Sequence, residues 1–162
     1  VTDSIDAFVK HDLKLAEALI QRADLKKRIA QLEIRMAANV KVQEGDEPAE
    51  DIYGLLDEYE QLMTQLEELI IRINRTNHAT PFDGGTLADA IAKRDALKAK
   101  TRALRSLHEE ASVTHDRYSL KEIRLIRCVD VKQLQQRIDG LAKAYRELDT
   151  RMQGLNWTVD LL

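Results

Sequence analysis

Ile52 to Ile73, reading IYGLLDEYEQLMTQLEELIIRI, is the stretch that decides the fold. Ile52, Tyr59, Leu66 and Ile73 recur every seven residues, and Leu55, Leu62 and Leu69 follow three positions later, so one stripe of a long helix is almost wholly apolar. Such a stripe needs a partner helix. Leu56, Met63 and Ile70 widen it along one flank, which is more than a two-stranded zipper requires and predicts a helix packed against two neighbours in a bundle.

Working outward, the preceding helix is predicted from about Leu13 into the late thirties, burying Leu15, Leu19, Leu25, Ile29, Leu32 and Met36. Arg22 and Lys26 interrupt that face and are expected to snorkel, their stems buried and their charges in solvent. Val1 to Asp12, with Ile5, Phe8 and Val9, is a short amphipathic stretch ahead of it, read as either a helical extension or a frayed arm. Downstream, His78 to Gly85 breaks the pattern, because Pro81 cannot continue a helix and the glycine pair permits positive φ. Thr86 then caps a third helix, which runs from Leu87 through Ala90, Ile91, Leu97, Leu104 and Leu107 to about Ala111 and returns antiparallel to the second. Asp130 caps a fourth, which buries Val131, Leu134, Ile138, Leu141, Tyr145, Leu148 and Met152 and ends at Gly154. The tail from Asn156 to Leu162, which holds the lone tryptophan, Trp157, is apolar enough to dock.

Two segments alternate with period two instead. Asn39 to Gln43 and Ile123 to Val129 are predicted to pair as a small ribbon at one end of the helices. An isolated ribbon is marginal in water, so it should pack on the helices or on another subunit. The expected fold is mainly α: an antiparallel up-and-down bundle of four long helices with a small two-stranded β-ribbon, one domain over residues 1–162. Leftover apolar stripe, ribbon edges and the tail point to a homo-oligomer, with Val40, Val42, Ile123, Leu125 and Trp157 at the interface.

Composition narrows the classes. In 162 residues, 33% charged side chains with only two prolines and two phenylalanines resemble long-helix composition, not a disulfide scaffold. The net charge of -3 offers no basic surplus for nucleic acid or an anionic membrane. Cys128 is the one cysteine, so no intrachain disulfide forms and the cytoplasm is the default compartment. The first residues lack the apolar core of a signal peptide, and no apolar run reaches the roughly 18 residues that span a bilayer. A soluble protein follows.

Charge is unevenly placed. Between Glu44 and Glu68 every charged residue is acidic, whereas Lys93, Arg94, Lys98, Lys100, Arg102 and Arg105 make the third helix basic. Either the acidic and basic helices pair, setting register and partner choice, or the basic helix binds phosphate or nucleic acid. Against the second reading, no aromatic residue is interleaved with these cations for base stacking and no glycine-rich phosphate loop adjoins them.

Polar residues interrupt the stripes. Asn74, Thr76 and Asn77 close the heptad stripe, and Arg94, Thr101 and His108 occupy core-like positions of the third helix. Buried amides and a guanidinium need hydrogen-bond partners, so they form either a register-fixing network or a ligand pocket with Arg94 as anion binder. The candidate ligand residues are Asn74, Asn77, Arg94, His108 and Arg117. His115-Asp116-Arg117-Tyr118 strings reactive groups together, but neighbours on a helix point in different directions. His108 and His115 lack the carboxylate companions of metal-binding bundles, and no metal or cofactor is expected. Arg127 lies beside Cys128 as a neighbouring cation, yet a buried, unreactive thiol is the default. No nucleophile elbow, Walker loop or dinucleotide fingerprint occurs, so catalytic residues are not assigned.

Leu15-Ala16-Glu17-Ala18-Leu19, Arg22-Ala23-Asp24-Leu25, Val42-Gln43-Glu44-Gly45 and Ile73-Asn74-Arg75-Thr76-Asn77 together carry a family resemblance. Asp116-Arg117-Tyr118, Val129-Asp130-Val131 and Asn156-Trp157-Thr158 extend it from about Leu13 to Leu162. The chain resembles a family of small bacterial helical proteins often labelled septicolysin. That resemblance implies a mostly helical, soluble bacterial protein and carries over no catalytic residue; its label implies cytolysis. The residues before Leu13 depart from the family's usual start, which suggests an upstream initiation codon. The expected function is a non-enzymatic oligomeric scaffold or interaction protein, with a ligand-binding or hydrolytic protein as the alternative and a membrane-active cytolysin third.

Overall fold

The computed structural model describes residues 13–113 and 126–162. Their architecture is mainly α: α1 (Leu15–Asn39), α2 (Ile52–Ala79), α3 (Leu87–Ser112) and α4 (Val131–Asn156), with a small sheet of β1 (Pro81–Phe82) and β2 (Gly85–Thr86) between α2 and α3. The four predicted helices are all present. The chain groups into two compact units, one holding the described residues up to Pro81 with Gly154–Leu162, the other the described residues within Phe82–Gln153.

In the first unit α2 presents its heptad stripe to α1. Leu55, Leu62, Leu66, Leu69 and Ile73 are buried, and Ile29 and Leu32 of α1 join Leu55, Leu62 and Leu66 in one core edged by Leu25, Met36, Tyr59 and Ile70. Each leucine so buried contributes roughly 1.5–3 kcal/mol of transfer free energy, so this stripe is the main term holding the pair. The pair is antiparallel, since Arg28 meets Glu58 while Arg35, further along α1, meets Glu50, earlier in the chain. Asp51 starts α2 by accepting from the Tyr53 and Gly54 backbone N–H groups at 3.3 and 2.9 Å, which satisfies donors the first turn would leave unpaired.

The tail docks on this unit, as its composition predicts. Leu15 N donates to Val159 O at 2.9 Å and Leu161 N to Leu13 O at 2.7 Å, around an antiparallel bridge between Lys14 and Asp160. Leu161 is buried, but Trp157 is 57% exposed, so the tryptophan does not anchor the tail. Helix α4 also passes Gly154 and closes only at Asn156.

The ribbon is not where alternation puts it. Residues 39–43 form no strand: Asn39 is buried at the end of α1, its Nδ2 donates to Arg35 O at 2.9 Å, and its Oδ1 accepts from Glu50 N at 3.0 Å. The side chain thereby closes the helix and pins the loop that follows, with Val40 and Val42 exposed in it. On the other proposed strand, Ile126 to Val129 is not extended pairing either, and residues 123–125 lie outside the described residues.

The actual sheet is a hairpin at the predicted break. Asp83 (φ 48) and Gly84 (φ 81) both take positive φ, the requirement of the two-residue type I′ turn that Asp-Gly favours. In the second unit Thr86 opens α3 with a reciprocal capping box: Asp89 N donates to Thr86 Oγ1 at 3.2 Å and Thr86 N to Asp89 Oδ2 at 2.8 Å. Asp130 caps α4 as expected, accepting from Lys132 and Gln133 N–H at 2.8 and 3.2 Å. The buried stripe of α4 is Leu134, Ile138, Leu148 and Met152, against only Leu87, Ala90 and Thr101 on α3. Arg151 of α4 holds the hairpin tip, donating to both oxygens of Asp83 at 2.8 and 2.7 Å and lying 5.3 Å from the Phe82 ring centroid.

Candidate functional site

The polar positions that stood out in the sequence do not behave alike. On α2, Asn74 is exposed, Asn77 is half-buried, and Thr76 is the buried member. Thr76 Oγ1 donates to Arg72 O and accepts from Leu162 N, both at 2.9 Å, while Thr80 Oγ1 donates to Thr76 O at 2.7 Å. Arg72 adds a bond to Leu162 O at 3.0 Å. This network is structural: it binds the tail to α2.

Arg94 is half-buried on α3, held to Asp95 Oδ1 by its Nε and Nη2 and standing 3.6 Å from Asp149 Oδ1 of α4. His108, also half-buried, lies four turns further along the same helix, about 21 Å away at 1.5 Å per residue. Arg94 and His108 therefore cannot line one small pocket. Arg117 and the His115-to-Tyr118 string, like Ile123, Leu125 and the extension 1–12, lie outside the described residues. Cys128 is exposed and free, not buried, and Arg127 spends its Nε on Ala111 O at 2.8 Å, a carbonyl near the end of α3. Among the described residues no group of three or more His, Cys, Asp or Glu side chains converges as metal ligands would.

The acidic stretch finds cations on α1. Arg35 Nε reaches both oxygens of Glu50 at 3.1 Å, and Glu58 stands 4.0 Å from both Arg28 and Arg35. The hydrogen bond from Arg35 holds the Glu50 carboxyl below the usual carboxylate range, and the Arg35 guanidinium is held more firmly protonated in return.

The cations of α3 have a different setting. Lys98, Arg102 and Arg105 fall at spacings of four and three, so they share one face of the helix, and that face looks into a groove of about 870 Å³ between α3 and α4. Arg146 enters from α4, one position beyond Tyr145, which is half-buried and also lines the groove. None of these four cations has an ion pair among the described residues. Asp95 and Glu109 stand on the same wall at either end of the row. Thr101, buried in the groove wall, donates to Leu97 O at 2.8 Å. The α3 half of this site was visible in the sequence as a basic helix. Its α4 half was not, because Tyr145 falls in the core register of that helix.

A second surface lies on the widened flank of α2. Leu56, Met63 and Ile71 are 39%, 40% and 42% exposed, and Met63, Leu66, Ile70 and Ile71 line a shallow apolar depression there.

None of the curated proteins matches the chain. A solved structure described as a functionally unknown conserved protein from Corynebacterium diphtheriae is 40% identical, with a TM-score of 0.85 over 94% of this chain and 100% of that one. The model of a family described as a family of unknown function (DUF6847) matches residues 22–161. That match takes in all of α2, α3 and α4, and the chain belongs to this family.

Proposed function

We propose that the protein is a non-enzymatic, oligomeric interaction protein of the cytoplasm, whose self-association covers the apolar flank of α2. The observation that carries this reading is the exposure of Leu56, Met63 and Ile71 beside a fully used heptad stripe. One partner helix, α1, packs on Leu55, Leu62 and Leu66 of the stripe, with Ile70 at the edge of the same core. Leu56, Met63 and Ile71 are surplus to that pairing, and apolar area left in water favours association at about 25 cal/mol per Å² covered. Val40, Val42 and Trp157, exposed at 61%, 46% and 57%, are further apolar groups available to a second copy. The lone free Cys128 suits a reducing compartment.

Native mass spectrometry of protein purified gently from its own host tests the proposal, because it reports subunit number and retained ligand together. A discrete oligomer that dissociates on the paired substitution Leu56→Glu and Met63→Glu is the expected result. A monomer at every concentration overturns it. Both positions are surface-exposed, so the variant is expected to stay folded. Membrane lysis, which the septicolysin label suggests, has less support, since no helix among the described residues is long and apolar enough to cross a membrane. Leakage of dye-loaded liposomes at micromolar protein is its direct test.

A further inference from the structure

We infer that the groove between α3 and α4 is a binding site for a nucleoside polyphosphate, a short polyanion carrying one flat ring. The argument starts from like charge. Lys98, Arg102 and Arg105 recur at helix-face spacing, where neighbouring Cβ atoms stand about 5–6 Å apart, so their like charges repel one another. Arg146 adds a fourth cation from the opposite wall, and no carboxylate among the described residues is paired with any of the four. A polyphosphate resolves this by accepting from several guanidinium and ammonium groups at once, the arrangement arginine favours for phosphate.

Length and ends select the ligand. From Lys98 to Arg105 is seven residues, about 10.5 Å of helix, and a groove of about 870 Å³ falls within the range of small-molecule sites. Asp95 and Glu109 bracket the row at both ends, so a phosphate chain longer than the row meets negative charge whichever way it leaves. That favours a short ligand over a nucleic-acid strand, which needs cations to continue along its track. Tyr145 supplies the aromatic face that α3 alone lacks, placed for a ring to stack while Arg146 beside it reaches phosphate. This site is independent of the α2 flank and stands or falls without it.

Isothermal titration calorimetry of the full chain with ATP, sodium tripolyphosphate and a thymidine oligonucleotide at low ionic strength decides the matter. Saturable one-to-one ATP binding is expected, weakened about tenfold or more by Arg102→Gln with Arg105→Gln, and separately by Arg146→Gln, each with an unchanged circular dichroism spectrum. Tyr145→Leu, which keeps an apolar side chain of similar reach, is expected to weaken ATP about fivefold or more while leaving tripolyphosphate untouched. No ATP binding at millimolar concentration overturns the site. So does binding that survives the arginine substitutions, Tyr145→Leu without effect on ATP, or an oligonucleotide that outcompetes ATP.

Discussion

Replacing Thr76 with Val isolates what one buried hydroxyl does for the tail. Thr76 is 1% exposed, and its oxygen stands 2.9 Å from both Arg72 O and Leu162 N. Valine keeps the branched shape, so no cavity opens. The bond to Arg72 O is dispensable, because that carbonyl already sits within a helix where it has a backbone donor. The bond from Leu162 N is not, because the part-buried N–H is left without an acceptor, at a cost of about 1–3 kcal/mol. For a chain of this size, 2 kcal/mol lowers the melting temperature by about 4–8 °C. Thr76→Ser separates hydroxyl from methyl: it keeps both bonds and loses one buried methyl, at about 1 kcal/mol. Hydrogen exchange is the sharper assay, since faster exchange at Leu161 and Leu162 in the valine variant, with α2 still protected, locates the loss in the tail. A valine variant as stable as the wild type, with Leu162 still protected, would refute the reasoning.

Other substitutions probe the remaining contacts. Leu66→Asp puts a carboxylate at an 8% exposed position of the α1–α2 core, and the lost burial plus the unpaired charge exceed about 5 kcal/mol, so helical circular dichroism should collapse; an unchanged spectrum would show that the stripe is not buried. Gly84→Ala forces a Cβ into a φ of 81 and should cost about 1–2 kcal/mol in urea unfolding, whereas no change would mean the turn relaxes. Glu50→Gln tests the acid limb. Because the native carboxyl is depressed, its stabilisation is present above the ordinary value near 4.3 and is lost as pH falls through the native value. The melting difference between wild type and the glutamine variant should therefore be largest at neutral pH and vanish in strong acid. A difference independent of pH would detach it from ionisation.

Periodicity and caps were legible in the sequence wherever one local rule acted alone. The seam from Leu55 to Ile73, the Thr86 capping box and the Asp130 cap all follow from a residue type at a fixed offset. Failures came where two rules competed. Residues 39–43 alternate like a strand, but over so few residues alternation is weaker than the two hydrogen bonds Asn39 makes as a helix stop. Phe82-Asp83-Gly84-Gly85 was readable only as a break, although Asp-Gly is a strong I′ signal, because the strands beside it are two residues long and carry no alternation. Charge pairing was least legible, since helix faces meet by rotation about axes that periodicity does not specify. Glu50 and Glu58 pair with Arg35 and Arg28 of α1, cations that the charge pattern alone did not single out.

That pairing makes salt the discriminating variable for the two surfaces proposed here. With Arg35 engaged by Glu50, and Arg94 by Asp95 and Asp149, the cations of the groove stand apart from this ion-pair network. A ligand held by them is held through charge, and ionic strength near 1 M, where the Debye length is about 3 Å, screens most of the attraction beyond direct contact. ATP affinity should then drop by roughly tenfold or more from low salt. An assembly built on Leu56, Met63 and Ile71 gains chiefly from apolar burial, and sulfate, which is excluded from apolar surface and also screens Glu67 beside it, should tighten it. Sodium sulfate ought therefore to displace ATP and promote the oligomer in the same titration, followed by competition calorimetry and sedimentation. If both responses fall together, the oligomer is ionic and the α2 flank is not its contact. If ATP binding is indifferent to salt, the row from Lys98 to Arg105 is not what holds it.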